Sequence, residues 1–422
     1  MKNQSAIRLM LASNFIGNMA QGMTMISIPT YFSEQNLSND FFAFYWVVTL
    51  ITLIWTPFAG TTVDKYDRKK IFWIINAACF GILGLLYLWG IQRGEISPLA
   101  AGAAFAMTFF NYNIYYACFY SFIQEITPPK SYGKIASTIE MQGQFAAAIA
   151  GALAALLWEG KCFEDLGFCF PQISLNGILG LNAIVYAITF LLIGRMKYES
   201  LKEESTDLAT DGTMQRLKTG YNWLKSNPYI FLFGALSFTA FLVVITSTFS
   251  LNAVYAKVHL GAGPSAYAWS EVTYAIGAVL AGALIVKIFS WTNNVKAIII
   301  LTLLTALQAL ILAFTKSEWI FYIITFLMGI TNAGVRVLRI EYLFTIVPNW
   351  VAGRANSIFA MTNILQRLIF LGIFTLPFFH IGNNLIWAFA ILAIFTIFAS
   401  LVMMLYYAKY PSKEMNKSVQ KS

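Results

Sequence analysis

Long apolar runs alternate with short polar breaks along this chain, and the runs are too long and too evenly apolar for strands or for the buried stripe of a soluble helix. Twelve membrane-crossing helices are predicted near 7–32, 41–60, 71–91, 99–125, 135–158, 173–194, 229–256, 265–288, 296–314, 319–345, 354–379 and 384–407. They fall into two sets of six around a polar stretch. The pattern predicts an all-α integral membrane protein with a six-helix half at 1–194, a cytoplasmic linker at 195–227, a second half at 228–408 and a cytoplasmic tail at 409–422. The end of the linker, from Met214 to Lys225, has the spacing of a short amphipathic helix lying on the membrane surface.

Composition agrees with this pattern. With 58% hydrophobic and 11% charged residues, the chain is excluded from the ordinary soluble enzymes, which carry about 25% charge. Its first apolar run is interrupted by Asn14, Asn18 and Gln21 and has no clear cleavage site, so it reads as a retained span. The net charge of +9 changes the picture only through its distribution. Of the 28 Lys and Arg residues, 21 fall on the side of the termini and 4 on the other, with Arg336, Arg339 and Arg367 inside predicted spans. That asymmetry predicts cytoplasmic termini and a membrane role for the charge, with no nucleic-acid partner.

An internal repeat ties the two sets together. Pro128 to Ser137 shares its Pro, Gly, Lys/Arg and Ser positions with Pro348 to Ser357 at an offset of 220. Gly60 to Lys65 pairs with Gly282 to Lys287 at an offset of 222, with Val286 standing where the first copy has Asp64. Two matches at nearly one offset point to two six-helix repeats.

The loop Gly60-x-x-x-Asp64-Lys65-x-Asp67-Arg68-Lys69-Lys70 resembles the signature loop of the major facilitator superfamily. It departs from the family pattern at Asp67, where glycine is usual. The run Ile126 to Ile135 together with Glu140 to Leu157 is similar to the branch containing macrolide-efflux proteins and bacterial siderophore exporters. The chain lacks the span-5 Gly-Pro pair and the span-4 arginine of many proton-coupled drug exporters. The resemblance implies a gate built from Gly60, Asp64, Lys65, Arg68 and Arg354, in which Asp64 docks against the start of the eleventh span near Arg354 and Ala355. The Val286 counterpart implies no reciprocal latch.

The resemblance also implies that spans 1, 4, 7 and 10 surround a central cavity. Asn14, Asn18 and Gln21 share one helical face, and either a watery cavity or interhelical hydrogen bonding would satisfy them. Asn111, Tyr115 and Tyr116 on the fourth span offer either an amphipathic binding surface or aromatic packing. Arg336 and Arg339 lie about 13 Å and about 9 Å inward from the end of their span, counted at helical rise. With Arg367 they are candidates to bind an anionic group, or to pair permanently with Glu140, Glu271 or Glu341, which are also candidate proton carriers.

His259 and His380 are isolated, so no metal site is expected, and no cofactor or catalytic motif appears. Cys79 and Cys118 read as core residues, while Cys162 and Cys169 fall in a loop on the oxidising side, as a bridge or as two thiols. The expectation is a monomeric secondary transporter of a bacterial inner membrane, not an enzyme. It would move a small anionic or amphipathic organic solute, such as a siderophore, with protons as the coupling ion to test. Multidrug or macrolide efflux and a non-transporting membrane receptor are the alternatives.

Overall fold

The computed structural model describes residues 3–128, 132–163, 168–199 and 213–409. Every predicted span is occupied by helix. The first six helices are α1 (Gln4–Glu34), α2 (Ser38–Lys65), α3 (Arg68–Arg93), α4 (Pro98–Ile126), α5 (Tyr132–Glu159) and α6 (Leu175–Arg195). The amphipathic linker helix is α7 (Thr213–Ser226). The seventh run is broken into α8 (Pro228–Leu236), α9 (Thr239–Thr246), a π-turn at Ser247–Leu251, α10 (Asn252–Val254) and a second π-turn at Tyr255–His259. The rest are α11 (Pro264–Ile288), α12 (Asn294–Phe314), α13 (Glu318–Ile346), α14 (Asn349–Phe374) and α15 (Ile386–Lys409). Among the described residues, ten helical stretches are long and apolar enough to cross a membrane. The 31-residue α1 is long enough but too polar to be counted with them.

Local chemistry explains the ends of these helices. Ser97, Ser174 and Ser317 each accept a hydrogen bond from a first-turn N–H of the helix they precede, and Pro98 starts α4 where a missing N–H costs nothing. Asp67 does the same for α3, its Oδ1 accepting from the Lys70 N–H at 2.8 Å. A glycine at position 67 would supply no such acceptor, which gives the unusual aspartate of the signature loop a structural reason.

The chain forms two compact units, 1–210 with 262–272, and 211–261 with 273–422. In the first unit α1 packs on α4, α5 and α6, and α3 packs on α4 and α6. This surrounds the polar α1 with protein, which is what a span rich in Ser, Thr, Asn and Gln requires. A Cβ on Gly22 would stand 2.7 Å from the Ala150 Cβ, so α1 and α5 touch through small residues.

In the second unit α12 packs on α13 and α15, while α14 packs on α7, α8 and α9. The crossing of α11 with α13 is tighter than any side chain would allow. A Cβ on Gly277 would lie 2.0 Å from the Phe326 carbonyl oxygen, and one on Gly329 would lie 2.1 Å from the Tyr274 carbonyl oxygen. Thr273 bonds Thr325 at 2.7 Å, and Asn332 donates to the Tyr274 hydroxyl at 2.6 Å, fixing the register of that crossing.

Between α5 and α6 a two-stranded hairpin, β1 (Cys162–Phe163) with β2 (Phe168–Cys169), pairs Cys162 directly with Cys169. The two are joined by a disulfide, so of the two readings left open for these cysteines the bridge is the one found.

Candidate functional site

The first unit buries neutral polar groups and bonds them between helices. Asn14 and Gln21 are buried; Asn18 donates to the Asn14 Oδ1 at 3.3 Å, and Gln21 donates to the Thr108 carbonyl of α4 at 3.5 Å. Asn111 donates to the Tyr186 hydroxyl of α6 at 2.9 Å. Two further ties, Asn182 to Thr24 and Thr189 to Asn76, both 2.6 Å, link α6 to α1 and to α3. The Asn14 Nδ2 and the Asn111 Oδ1 are buried without a hydrogen-bond partner among the described residues. Tyr115 is packed in a core, edge-on to Phe72 at 5.1 Å and stacked with Phe119 at 5.9 Å. The side chain of Tyr116 lies outside the described residues.

At the end of the same unit where α2 passes into α3, Arg68 forms an ion pair with Glu125 of α4, Nη1 to Oε2 at 2.5 Å, with side-chain exposures of only 12% and 11%. Glu125 was not anticipated, because it sits at a span end where a carboxylate reads as loop charge. Tyr198, just past α6, packs edge-on against Phe122 at 4.9 Å. Burial, together with the negative charges of Asp67 and Glu125, pushes its phenol up to about 12. The Asn3 amide clamps this segment, donating to the carbonyls of Ile126 and Glu199 and accepting from the Glu199 N–H. Of the expected gate residues, Gly60, Asp64 and Lys65 are helical positions of α2 whose side chains lie outside the described residues. Arg354 lies in the second unit, half-buried on α14, where its Cβ faces Gly220 of α7 closely enough that a Cβ there would meet it at 2.8 Å.

The second unit differs in kind. Its broken helix frees carbonyls between α8 and α9, and side chains take them up. The Ser237 hydroxyl donates to the Gly234 carbonyl at 2.8 Å and the Thr239 hydroxyl to the Leu236 carbonyl at 2.6 Å. Asn363 of α14 adds a bond at 3.4 Å to the Phe238 carbonyl, which already accepts from the Leu242 N–H at 2.9 Å. The Ser237 carbonyl receives Nη1 of Arg339 at 3.1 Å, and the same guanidinium lies over the Phe238 ring, its Cζ 3.5 Å from the centroid. Arg339 is only 6% exposed. Arg336, half-buried one turn away, repels it electrostatically. Arg367 is buried on α14. Among the proposed carboxylate partners, Glu341 is exposed, Glu271 is half-buried within the first unit, and the Glu140 side chain lies outside the described residues. No carboxylate contacts Arg339 among the described residues.

Sequence reasoning found Arg339 by its charge but missed Ser237, Phe238 and Asn363. A helix break without proline or glycine leaves little trace in a sequence. Asn76 and Asn182, single amides in otherwise apolar spans, did carry a readable signal.

His259 bridges the Thr315 carbonyl and the Asn383 Oδ1 at 2.6 and 2.7 Å, and His380 faces the Phe374 carbonyl at 2.9 Å. Among the described residues no three His, Cys, Asp or Glu side chains gather as a metal site.

A model of the Major Facilitator Superfamily matches residues 1–152. No curated protein matches the sequence. Solved structures resemble the chain along nearly its whole length. A mutant of the nucleoside transporter NupG is 12% identical, with 95% of this chain and 100% of that one covered at a TM-score of 0.69. A bacterial homologue of the human lysosomal transporter Spinster, inward-facing and unoccupied, is 14% identical, with 100% and 98% covered at 0.60. A bacterial homologue of the iron transporter ferroportin, outward-facing, is 14% identical, with 96% and 99% covered at 0.59. The architecture is therefore the multi-span, all-α fold that these solved structures share. Of this fold, residues 1–152 carry the match to the Major Facilitator Superfamily model.

Proposed function

We propose that this protein is a secondary active transporter that moves a small organic anion, of siderophore-like character, across a bacterial inner membrane by alternating access. The observation that carries the anionic assignment is Arg339: a guanidinium buried inside a span and held by a carbonyl and an aromatic face, with no carboxylate against it among the described residues. A cation so placed is costly unless an anion arrives, and arginine does not escape the cost by losing its proton. A nucleoside transporter and a bacterial homologue of an iron transporter share the fold, so the fold selects no substrate. Side-chain chemistry has to supply that choice.

Asn14, Asn18, Gln21 and Asn111 would offer the solute neutral polar contacts, with Arg336 and Arg367 adding positive potential. Asp64 and Arg354 would each serve a gate, and Glu140 and Glu271 would carry coupling protons. The 21 to 4 division of basic residues supports cytoplasmic termini. The Cys162–Cys169 bridge supports the same orientation, because a disulfide persists in an oxidising compartment. The test is counterflow in proteoliposomes loaded with a panel of organic acids. Accelerated entry of a labelled acid is the expected result; a protein that binds an acid yet never moves it across the bilayer would be a receptor.

A further inference from the structure

The guanidinium of Arg339 makes two of the contacts open to it. Its face is covered by Phe238 and its Nη1 is directed to the Ser237 carbonyl. The Nε–Nη2 edge meets no hydrogen-bond acceptor among the described residues, although the side chain is more than nine-tenths buried. That edge carries two parallel, coplanar N–H donors, the spacing that fits the two oxygens of a carboxylate. A halide can sit between the two donors but meets each off its axis, whereas two carboxylate oxygens align with both, and a lysine could not reproduce the fork.

We propose that Arg339 reads a planar carboxylate on the transported solute side-on through its Nε–Nη2 edge, while its Nη1 keeps hold of the carbonyl freed at the Ser237–Phe238 break. The inference rests on the reading of the chain as an anion carrier and names the chemical class that the carrier takes. It also joins the ligand to the broken helix. One rigid planar group touches both, so a bound carboxylate fixes the orientation of Arg339 and thereby steadies the junction of α8 and α9, with Asn363 holding the next carbonyl. The step is an equilibrium of contacts, with no bond made or broken.

The experiment uses the full chain purified in detergent, with formate as the probe and formamide, chloride and inorganic phosphate at matched ionic strength as comparisons. Thermal unfolding and hydrogen exchange over residues 234–242 are read together. Formate should raise the unfolding midpoint and slow exchange over 234–242, whereas its neutral isostere formamide and chloride should do neither. R339K should weaken the apparent affinity for formate by about tenfold or more, because the charge survives and the fork does not. Equal effects of chloride and formate, or an R339K protein that keeps the formate response, would overturn the carboxylate fork while leaving anion transport standing. Phosphate acting more strongly than formate would replace the carboxylate with a tetrahedral oxyanion. If no anion stabilises the wild-type protein, the proposal fails, and counterflow still decides the transport reading on its own. Should R339K not fold, the wild-type comparison of formate with formamide and chloride at residues 234–242 decides the matter.

Discussion

The two units each bury an arginine, and they treat it in opposite ways. Arg68 in the first unit is matched by Glu125, an ion pair with both side chains nearly nine-tenths buried. Arg339 in the second unit is set against a carbonyl and a phenyl ring. A matched cation at the end of a helix pair is part of the scaffold, since its energy is already satisfied in the absence of ligand. An unmatched one holds its strongest interaction in reserve. The interiors differ in the same sense: the first unit ties α1 to its neighbours through neutral amides and hydroxyls, while the second uses side chains to take up the carbonyls of a broken helix.

The comparison breaks most sharply at Arg68. Replacing it with alanine leaves a buried carboxylate unmatched, for an expected loss of about 3 to 5 kcal/mol, and Glu125→Gln added to Arg68→Ala should recover much of it. Denaturation of the single and double variants checks this, and an additive double variant would remove the structural role of the pair.

Next in size come the glycines of the α11–α13 crossing. Gly277→Ala or Gly329→Ala drives a methyl group into backbone, which cannot yield as a side chain can, and should cost about 3 kcal/mol. Gly22→Ala meets only the methyl of Ala150 and should cost about 1 kcal/mol through the same overpacking. Equal losses at Gly22 and Gly277 would mean that the backbone contact relaxes freely.

Arg339→Gln strands no carboxylate. Its expected cost in the absence of ligand is about 1 to 2 kcal/mol for the Ser237 carbonyl, partly offset because a charge no longer has to be buried. A loss as large as that of Arg68→Ala would mean that Arg339 belongs to the scaffold. In the first unit, Asn182→Ala should cost about 1 kcal/mol through the Thr24 bond, measurable in the same unfolding assay.

The smallest effect concerns pH. Burial holds the His380 imidazole below its usual 6.5. A depressed folded value means that this contribution to stability is present above pH 6.5 and is lost as pH falls through the folded value. His380→Gln should flatten the acid side of the stability profile, and an unchanged profile would assign the acid sensitivity elsewhere.

Much of this molecule was legible as a string of residues. The apolar runs located the long helices, ten of which among the described residues are long and apolar enough to cross a membrane, because hydrocarbon admits only backbone that bonds itself, and that constraint leaves a long, local pattern. The helix at Thr213–Ser226 was likewise read from its spacing. Charge counting pointed to an orientation, and the Asp67 departure was visible although its reason, the capping of α3, was not.

Tertiary structure decided the matters that depend on partners. The choice between bridge and free thiols at Cys162 and Cys169 followed from hairpin register. Tyr115, a candidate for ligand contact, packs in a core between α3 and α4, and Gln21 and Asn111 bond between helices. Arg339 was conspicuous as an intramembrane charge, but whether it had a carboxylate partner could be decided only by helices brought together from positions 102 and 24 residues away, at Ser237 and Asn363. Sequence alone determines periodicity and charge because these are properties of neighbours along the chain. Pairing across space depends on which faces meet, and that is set by the packing of every helix at once.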